Sequence, residues 1–384
     1  MSDRKNKKIK ILFIFSFPPP YHGANISNQI LWESKVQQEF NCKLIDISDR
    51  RDLNNLGRFE LTNIYLALMH LFIIAKTLIK FKPDMVYMLI SQNKWAVVRD
   101  GAIILLVKTI SNAKIINHLR GAFFKYFYDN TSNLMKKFVD FTLKKVNAFI
   151  VLGDNLRFNF EKWSKNIFVV TNGTDVLINY NIEEKYKEKN EVVITYLSNF
   201  FKSKGIVEVV KSVKEVITRF PDKKIIYKIA GDWGLDPILG LTKEEIKAEV
   251  DKVLSTDGTA KYIHFMGVIT GEKKLNLLKE TDIFLLPTSY DAHPRSILEA
   301  MAAGCPVIST PIGAIPETVI DNETGFIIEP GNHLVLTEKI TQLIENENLR
   351  KKLSIGSRKR YEACYTTNKS IEKMIQVFHS IAKQ

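Results

Sequence analysis

Leu285-Leu286-Pro287-Thr288-Ser289-Tyr290-Asp291-Ala292-His293-Pro294-Arg295-Ser296-Ile297-Leu298-Glu299-Ala300-Met301-Ala302-Ala303-Gly304-Cys305-Pro306 is the stretch that decides the fold. A strand ends at Pro287, and a polar loop carries Asp291 and His293. Pro294 suits the first position of a helix, which runs to about Ala303 and is ended by Gly304. The next strand opens at Pro306. A helix N-terminus therefore stands at the carboxyl end of a strand, where free N–H groups and the positive end of the helix dipole favour an anion. Arg295 adds a charge there. Asp291 in the loop and Glu299 inside the helix can present two carboxylates to one hydroxyl-rich ligand, because each oxygen accepts hydrogen bonds. Glu299 sits in a run of apolar and small residues, where an acid is costly unless paired or functional.

Outward from this stretch, strand and helix patterns alternate along the chain. Strands are expected at Lys10–Phe15, Cys42–Ile47, Met85–Leu89, Lys114–His118, Ala148–Leu152 and Ile167–Val170. Helical periodicity marks Ile26–Phe40, Ile64–Phe81, Trp95–Ile110 and Leu134–Val146 between them. The pattern restarts with strands at Val192–Leu197, Ile225–Ala230, Ile263–Met266, Ile283–Pro287, Pro306–Ser309 and Gly325–Ile328, and with a helix at Gly205–Arg219. Such alternation implies α/β architecture with doubly wound parallel sheets. Thr171–Asp175 and the polar stretch Asn179–Asn190 mark the break between two halves, each long enough for its own core. A first domain over 1–176 and a second over 177–365 are expected to leave a ligand-binding cleft.

The chain has 384 residues and a net charge of +13. That charge is lopsided. Residues 1–180 carry 26 Lys and Arg against 14 Asp and Glu, a net +12, whereas residues 181–384 are near neutral at +1. A basic half suggests contact with an anionic membrane surface. No zinc-finger spacing, aromatic RNA-binding motif or long Lys/Arg block points to nucleic acid. Cys42, Cys305 and Cys364 are scattered and read as reduced thiols in a cytoplasmic protein. The apolar run Ile11–Phe15 is too short for a secretory signal and reads as a buried strand. Ile64–Phe81, with His70, Lys76 and Lys80, is too short and too charged for a span. A helix buried on a sheet is the leading expectation for it, and an interfacial helix the alternative. No Gly-x-Gly-x-x-Gly follows the first strand, and no Walker loop, His-Glu-x-x-His or Gly-x-Ser-x-Gly occurs, which argues against dehydrogenase, P-loop ATPase, zinc protease and serine esterase chemistry.

The Asp291-to-Glu299 segment resembles the Glu-x7-Glu signature of the retaining family 4 glycosyltransferases, with Asp291 in place of the first Glu. Ile229-Ala230-Gly231-Asp232, His264-Phe265-Met266-Gly267, Gly313-Ala314-Ile315-Pro316-Glu317 and Asn322-Glu323-Thr324-Gly325-Phe326 flank it as in that family. The resemblance implies the GT-B architecture, two Rossmann-like domains facing a central cleft, with a C-terminal helix at about 366–384 packing back on the first domain. It implies that Glu299 binds ribose hydroxyls of a nucleotide-sugar, that Asp291 faces the transferred sugar, and that the amides around Arg295, Ser296 and Ile297 hold phosphate. The family's Gly-Arg and Lys-Gly pair, which grips the diphosphate, appears as Ser198-Asn199 and Lys204-Gly205. One cation is lost, and Lys202 or Arg295 is the candidate to compensate. Gly23-Ala24 stands where the family has a Gly-Gly turn, and His118 matches its active-site histidine. Gly231 and His293 join the donor-site candidates, and His22 is a weaker one. No cofactor and no catalytic metal ion are expected. The implied reaction is retaining transfer from a UDP- or GDP-sugar to a lipid-linked or polysaccharide acceptor of a bacterial surface glycan, at the inner face of the plasma membrane. A sugar-nucleotide epimerase, or a non-catalytic nucleotide-sugar binding module, is the alternative on the same fold.

Overall fold

The computed structural model describes residues 8–19, 23–48, 61–176, 182–186 and 191–384; His22 and most of the polar stretch 179–190 lie outside them. The chain forms two α/β units. One comprises Met1–Gly173 with Thr367–Gln384, and the other Thr174–Thr366. Thr174 belongs to the second because its N–H donates to the Tyr365 carbonyl at 3.0 Å, and its own carbonyl accepts from the Tyr361 hydroxyl at 2.6 Å.

The first unit holds a six-stranded parallel sheet of β1 (Lys10–Phe15), β2 (Asn41–Asp46), β3 (Met85–Leu89), β4 (Lys114–His118), β5 (Ala148–Val151) and β6 (Ile167–Val169), in the order β2-β1-β3-β4-β5-β6. The second holds β7 (Glu191–Leu197), β8 (Lys224–Ala230), β9 (Ile263–Gly267), β10 (Ile283–Leu286), β11 (Val307–Ser309) and β12 (Gly325–Ile327), in the order β12-β11-β10-β7-β8-β9. Parallel pairing needs long crossovers, and the intervening helices supply them. The central strands are buried on both faces, so β1 reads as an unbroken apolar run rather than an alternating one.

The helix Thr367–Lys383 closes the first unit's core. Its residues Ile371, Met374, Phe378 and Ile381 share one face, and Phe378 meets Phe13, Phe40 and Tyr87 edge-on. Lys114 of β4 donates to the Ile381 carbonyl at 2.8 Å, satisfying the end of that helix.

Three helix expectations need correction. The pattern Ile26–Phe40 is two helices, Gly23–Trp32 and Val36–Glu39. Ser34 breaks it: its hydroxyl donates to the Leu31 carbonyl at 2.7 Å and accepts from the Val36 N–H, a local turn that competes with the helical ladder. The segment expected as a buried helix over Ile64–Phe81 is a 21-residue helix, Leu61–Phe81, of which Ile74, Thr77 and Leu78 are buried while several large apolar residues face solvent. Pro294 is the residue before the helix rather than its first, because its ψ of 123° is extended and the helix starts at Arg295.

Candidate active site

In the second unit, the carboxyl ends of β7, β8 and β10 lead into the loops that carry the candidate residues. The turn after β7 is built on Ser203. Its N–H and hydroxyl both meet the Asp236 carboxylate, at 2.7 and 3.0 Å, and its carbonyl accepts from Ser289 N–H at 2.8 Å. Asp236 is fully buried, and hydrogen bonds from backbone N–H groups and the Ser203 hydroxyl hold its carboxyl below the usual range against the opposing cost of burial. This frame ties the Lys204 loop to the Asp291 loop.

Gly205 is required where it stands. Its φ is +83°, and a Cβ there would lie 2.4 Å from the Pro287 carbonyl oxygen. The close approach seats Lys204, whose ammonium is 2.6 Å from Oδ2 of Asp291 and 2.8 Å from the Tyr290 carbonyl. Gly313 plays the same part from the other side: a Cβ would meet the Asp291 and Ala292 carbonyls at 2.5 and 2.4 Å. Gly231, with φ of +153°, follows β8, and a Cβ would lie 1.8 Å from the Ser198 carbonyl oxygen. Ser198 and Asn199 thus contribute through backbone here; the Asn199 carbonyl accepts from the Tyr196 hydroxyl at 2.9 Å.

The helix Arg295–Ala302 begins with no side chain capping its amides. Ser296 is half-buried and Ile297 fully buried on its first turn. Glu299 is buried, and Lys274, on the helix Gly271–Glu280, supplies its partner at 2.8 Å from Oε1. Lys274 stands beside Lys273 in the sequence, and nothing local marks it for this contact. Lys202, the other candidate to replace the missing arginine, holds its ammonium 2.8 Å from Glu249, both side chains about a third exposed. Arg295 remains beside the helix start, with Nη2 3.4 Å from the Thr174 hydroxyl.

His293 turns inward. Its ring is buried against Tyr365, and Nε2 lies 3.0 Å from Oγ1 of Thr318. That hydroxyl donates to the Ala314 carbonyl at 2.8 Å, so the imidazole is the donor. Burial, and then the Arg295 charge, push its pKa down to about 3, which keeps it neutral.

The first unit carries a second cluster, at the carboxyl ends of β3 and β4. His118 is fully buried, with Nδ1 2.6 Å from the Tyr87 hydroxyl, and its Nε2 has no hydrogen-bond partner among the described residues. Burial and then Arg120 hold the His118 pKa well below its ordinary value. Arg120 donates from Nη1 to Oδ1 of Asn172 at 3.0 Å. Gly23 is the first residue of the helix Gly23–Trp32 in the same unit. Nothing local in the sequence marks Tyr87, Arg120 and Asn172; Tyr87 bonds His118, Arg120 acts on its charge, and Asn172 joins through Arg120. Among the described residues no group of three or more His, Cys, Asp or Glu side chains could hold a metal ion.

A sugar-phosphate ligand suits the second unit's arrangement: two carboxylates eight positions apart, two lysines on them, and uncapped helix amides between. Residues 179–360 match the family of glycosyl transferases group 1. The glycosyl transferase match therefore takes in Ser198 to Glu299. The chain is 25% identical over 258 residues to the capsular polysaccharide biosynthesis glycosyltransferase CapM of Staphylococcus aureus, covering 66% of this chain and 61% of that one. It is 30% identical over 194 residues to the N-acetyl-alpha-D-glucosaminyl L-malate synthase of Bacillus anthracis, covering 50% and 45%. The matched stretch is thus less than two thirds of either relative. In structure, a glycosyltransferase from Rickettsia africae superposes with a TM-score of 0.75 at 19% identity, over 99% of this chain and all of that one. The Anabaena protein HepE in complex with UDP gives 0.73 at 15%, over 97% and 100%. These likenesses establish the fold as the two-domain α/β fold of the GT-B glycosyltransferases.

Proposed function

We propose that this protein is a retaining glycosyltransferase that moves a sugar from a UDP- or GDP-sugar onto a lipid-linked or polysaccharide acceptor during assembly of a bacterial surface glycan such as capsule, O-antigen, lipopolysaccharide or exopolysaccharide. The observation that carries the reading is the pair Asp291 and Glu299, each matched to a lysine, on either side of an uncapped helix start. Glu299 takes the ribose hydroxyls. The amides of Arg295, Ser296 and Ile297 take a phosphate, and Lys204 and Arg295 neutralise the charge that grows on the diphosphate as it leaves. Asp291 orients the sugar. The bond from the anomeric carbon to the diphosphate oxygen breaks, the acceptor oxygen bonds to the same face, and the leaving phosphate takes the acceptor proton. From the first unit we assign His118 as a neutral hydrogen-bonding group, with Tyr87 fixing its ring. The names of CapM and HepE support the choice of donors and setting: one belongs to capsule synthesis and the other is bound to UDP. The surplus positive charge of residues 1–180 supports work beside anionic lipid.

The test is nucleoside diphosphate release from a panel of UDP- and GDP-sugars with and without lipid-linked acceptors, with the anomeric configuration of the product read by proton NMR. Acceptor-dependent release with retained configuration is expected. A changed sugar nucleotide formed without acceptor would instead mark an epimerase.

A further inference from the structure

The helix Leu61–Phe81 leaves a long apolar face in water. Tyr65, Leu68, Phe72 and Ile79 are 67%, 62%, 70% and 62% exposed, and Met69 and Ile73 are exposed between them. Tyr65, Leu68, Met69, Phe72 and Ile73 follow one another at helical spacing, and Ile79 comes two turns after Phe72, so these side chains form one stripe along the helix. The opposite stripe, Ile74, Thr77 and Leu78, is buried in the first unit, and the helix lies beside the helix Lys94–Ile110, which itself exposes Trp95 and Val98. Soluble surfaces seldom expose apolar residues in such a row unless something covers it.

Charge decides what covers it. The 21 residues contain no Asp or Glu. Lys76 is exposed within the stripe between Phe72 and Ile79, Lys80 is exposed at its end, and Lys82 and Lys43 are exposed near it. A second copy of the same helix offers these lysines no counter-charge, because it carries no acid of its own. A spanning role is excluded by the buried stripe, and among the described residues no helix is long and apolar enough to cross a membrane. We propose that this helix is a docking surface for an anionic phospholipid bilayer. It lies in the headgroup plane, with the tips of Tyr65, Leu68, Phe72 and Ile79 at the acyl boundary and the ammonium groups of Lys76 and Lys80 among the lipid phosphates. This gives the membrane contact of the proposed function a defined element, and it depends on that reading only for its purpose.

The experiment is co-sedimentation of the full chain with phosphatidylcholine vesicles, with and without phosphatidylglycerol. The protein should bind the anionic vesicles and lose binding as salt rises. Leu68→Ser with Phe72→Ser should weaken binding about tenfold or more. Lys76→Gln with Lys80→Gln should weaken it by roughly fivefold per lysine, and only on anionic vesicles. Melting temperatures should be unchanged, since all four side chains face solvent; if the serine pair does not fold, the lysine pair decides. Wild-type binding to neither vesicle, equal binding by both variants, or a concentration-dependent dimer that the serine pair dissolves would overturn the proposal. Nucleotide binding, measured on the same samples, judges the transferase reading separately.

Discussion

Lys274 holds its ammonium 2.8 Å from Oε1 of Glu299, joining the helix Gly271–Glu280 to the helix Arg295–Ala302. The acid that sequence alone marks as out of place in an apolar run has its counter-charge.

Removing Lys274 therefore strands a buried carboxylate. Lys274→Met should lower stability by about 1–2 kcal/mol, less than a fully buried pair would show because the lysine is partly exposed. Glu299→Gln in the same background should restore part of that loss. Urea midpoints of the two single variants and the double variant measure the coupling, and strictly additive effects would contradict a direct pair.

Lys204 and Asp291 make a second pair of similar shielding, each about a fifth exposed. Its contribution to folding should likewise be about 1–2 kcal/mol. Its contribution to turnover should be larger: Lys204→Met is expected to reduce kcat/KM for the sugar donor on the order of a hundredfold while the protein stays folded at the assay temperature. Steady-state kinetics beside a thermal melt separates the two.

Two glycines with left-handed backbones test the site's frame. Gly205→Ala meets the Pro287 carbonyl as well as the φ penalty, whereas Gly240, φ +68°, has nothing within 4 Å of its added Cβ. The Gly240→Ala change should cost about 1–2 kcal/mol, the price of the backbone conformation alone. Gly205→Ala should cost clearly more and also weaken nucleotide binding. Equal losses would show that the Lys204 turn tolerates a side chain.

Most of the architecture can be read from apolar runs. All twelve strands lie within about one residue of their sequence positions, because buried parallel strands leave short, unbroken stretches of Val, Ile and Phe between helical patterns. What escaped the sequence depends on contacts between distant segments. Lys274 sits beside Lys273 with nothing local to distinguish it, and its partner lies 25 residues on. Lys202 stands beside the Lys-Gly motif, and its partner Glu249 lies 47 residues on. The helix Leu61–Phe81 is apolar on nearly every side, a pattern that reads as burial, and only the fold reveals which stripe is left uncovered.

His118 and His293 are both buried and neutral, with pKa values depressed by burial and by neighbouring arginines. In the unfolded chain each would take a proton near pH 6.5. Their contribution to stability is therefore complete above about pH 6.5 and is lost as the pH falls below it, toward about 3 for His293. Unfolding at pH 5 should take up about two protons more than at pH 8. Melting temperatures across that range check this, and His293→Gln should flatten the acid limb.

The most direct measurement is calorimetric titration of UDP and of GDP into the full chain, wild type and Glu299→Gln. One nucleotide should bind the wild type at a single site, and the variant should bind it at least tenfold more weakly while melting within a few degrees of the wild type. Equal affinity in both proteins, or no binding of either nucleotide, would contradict a donor site built around Glu299.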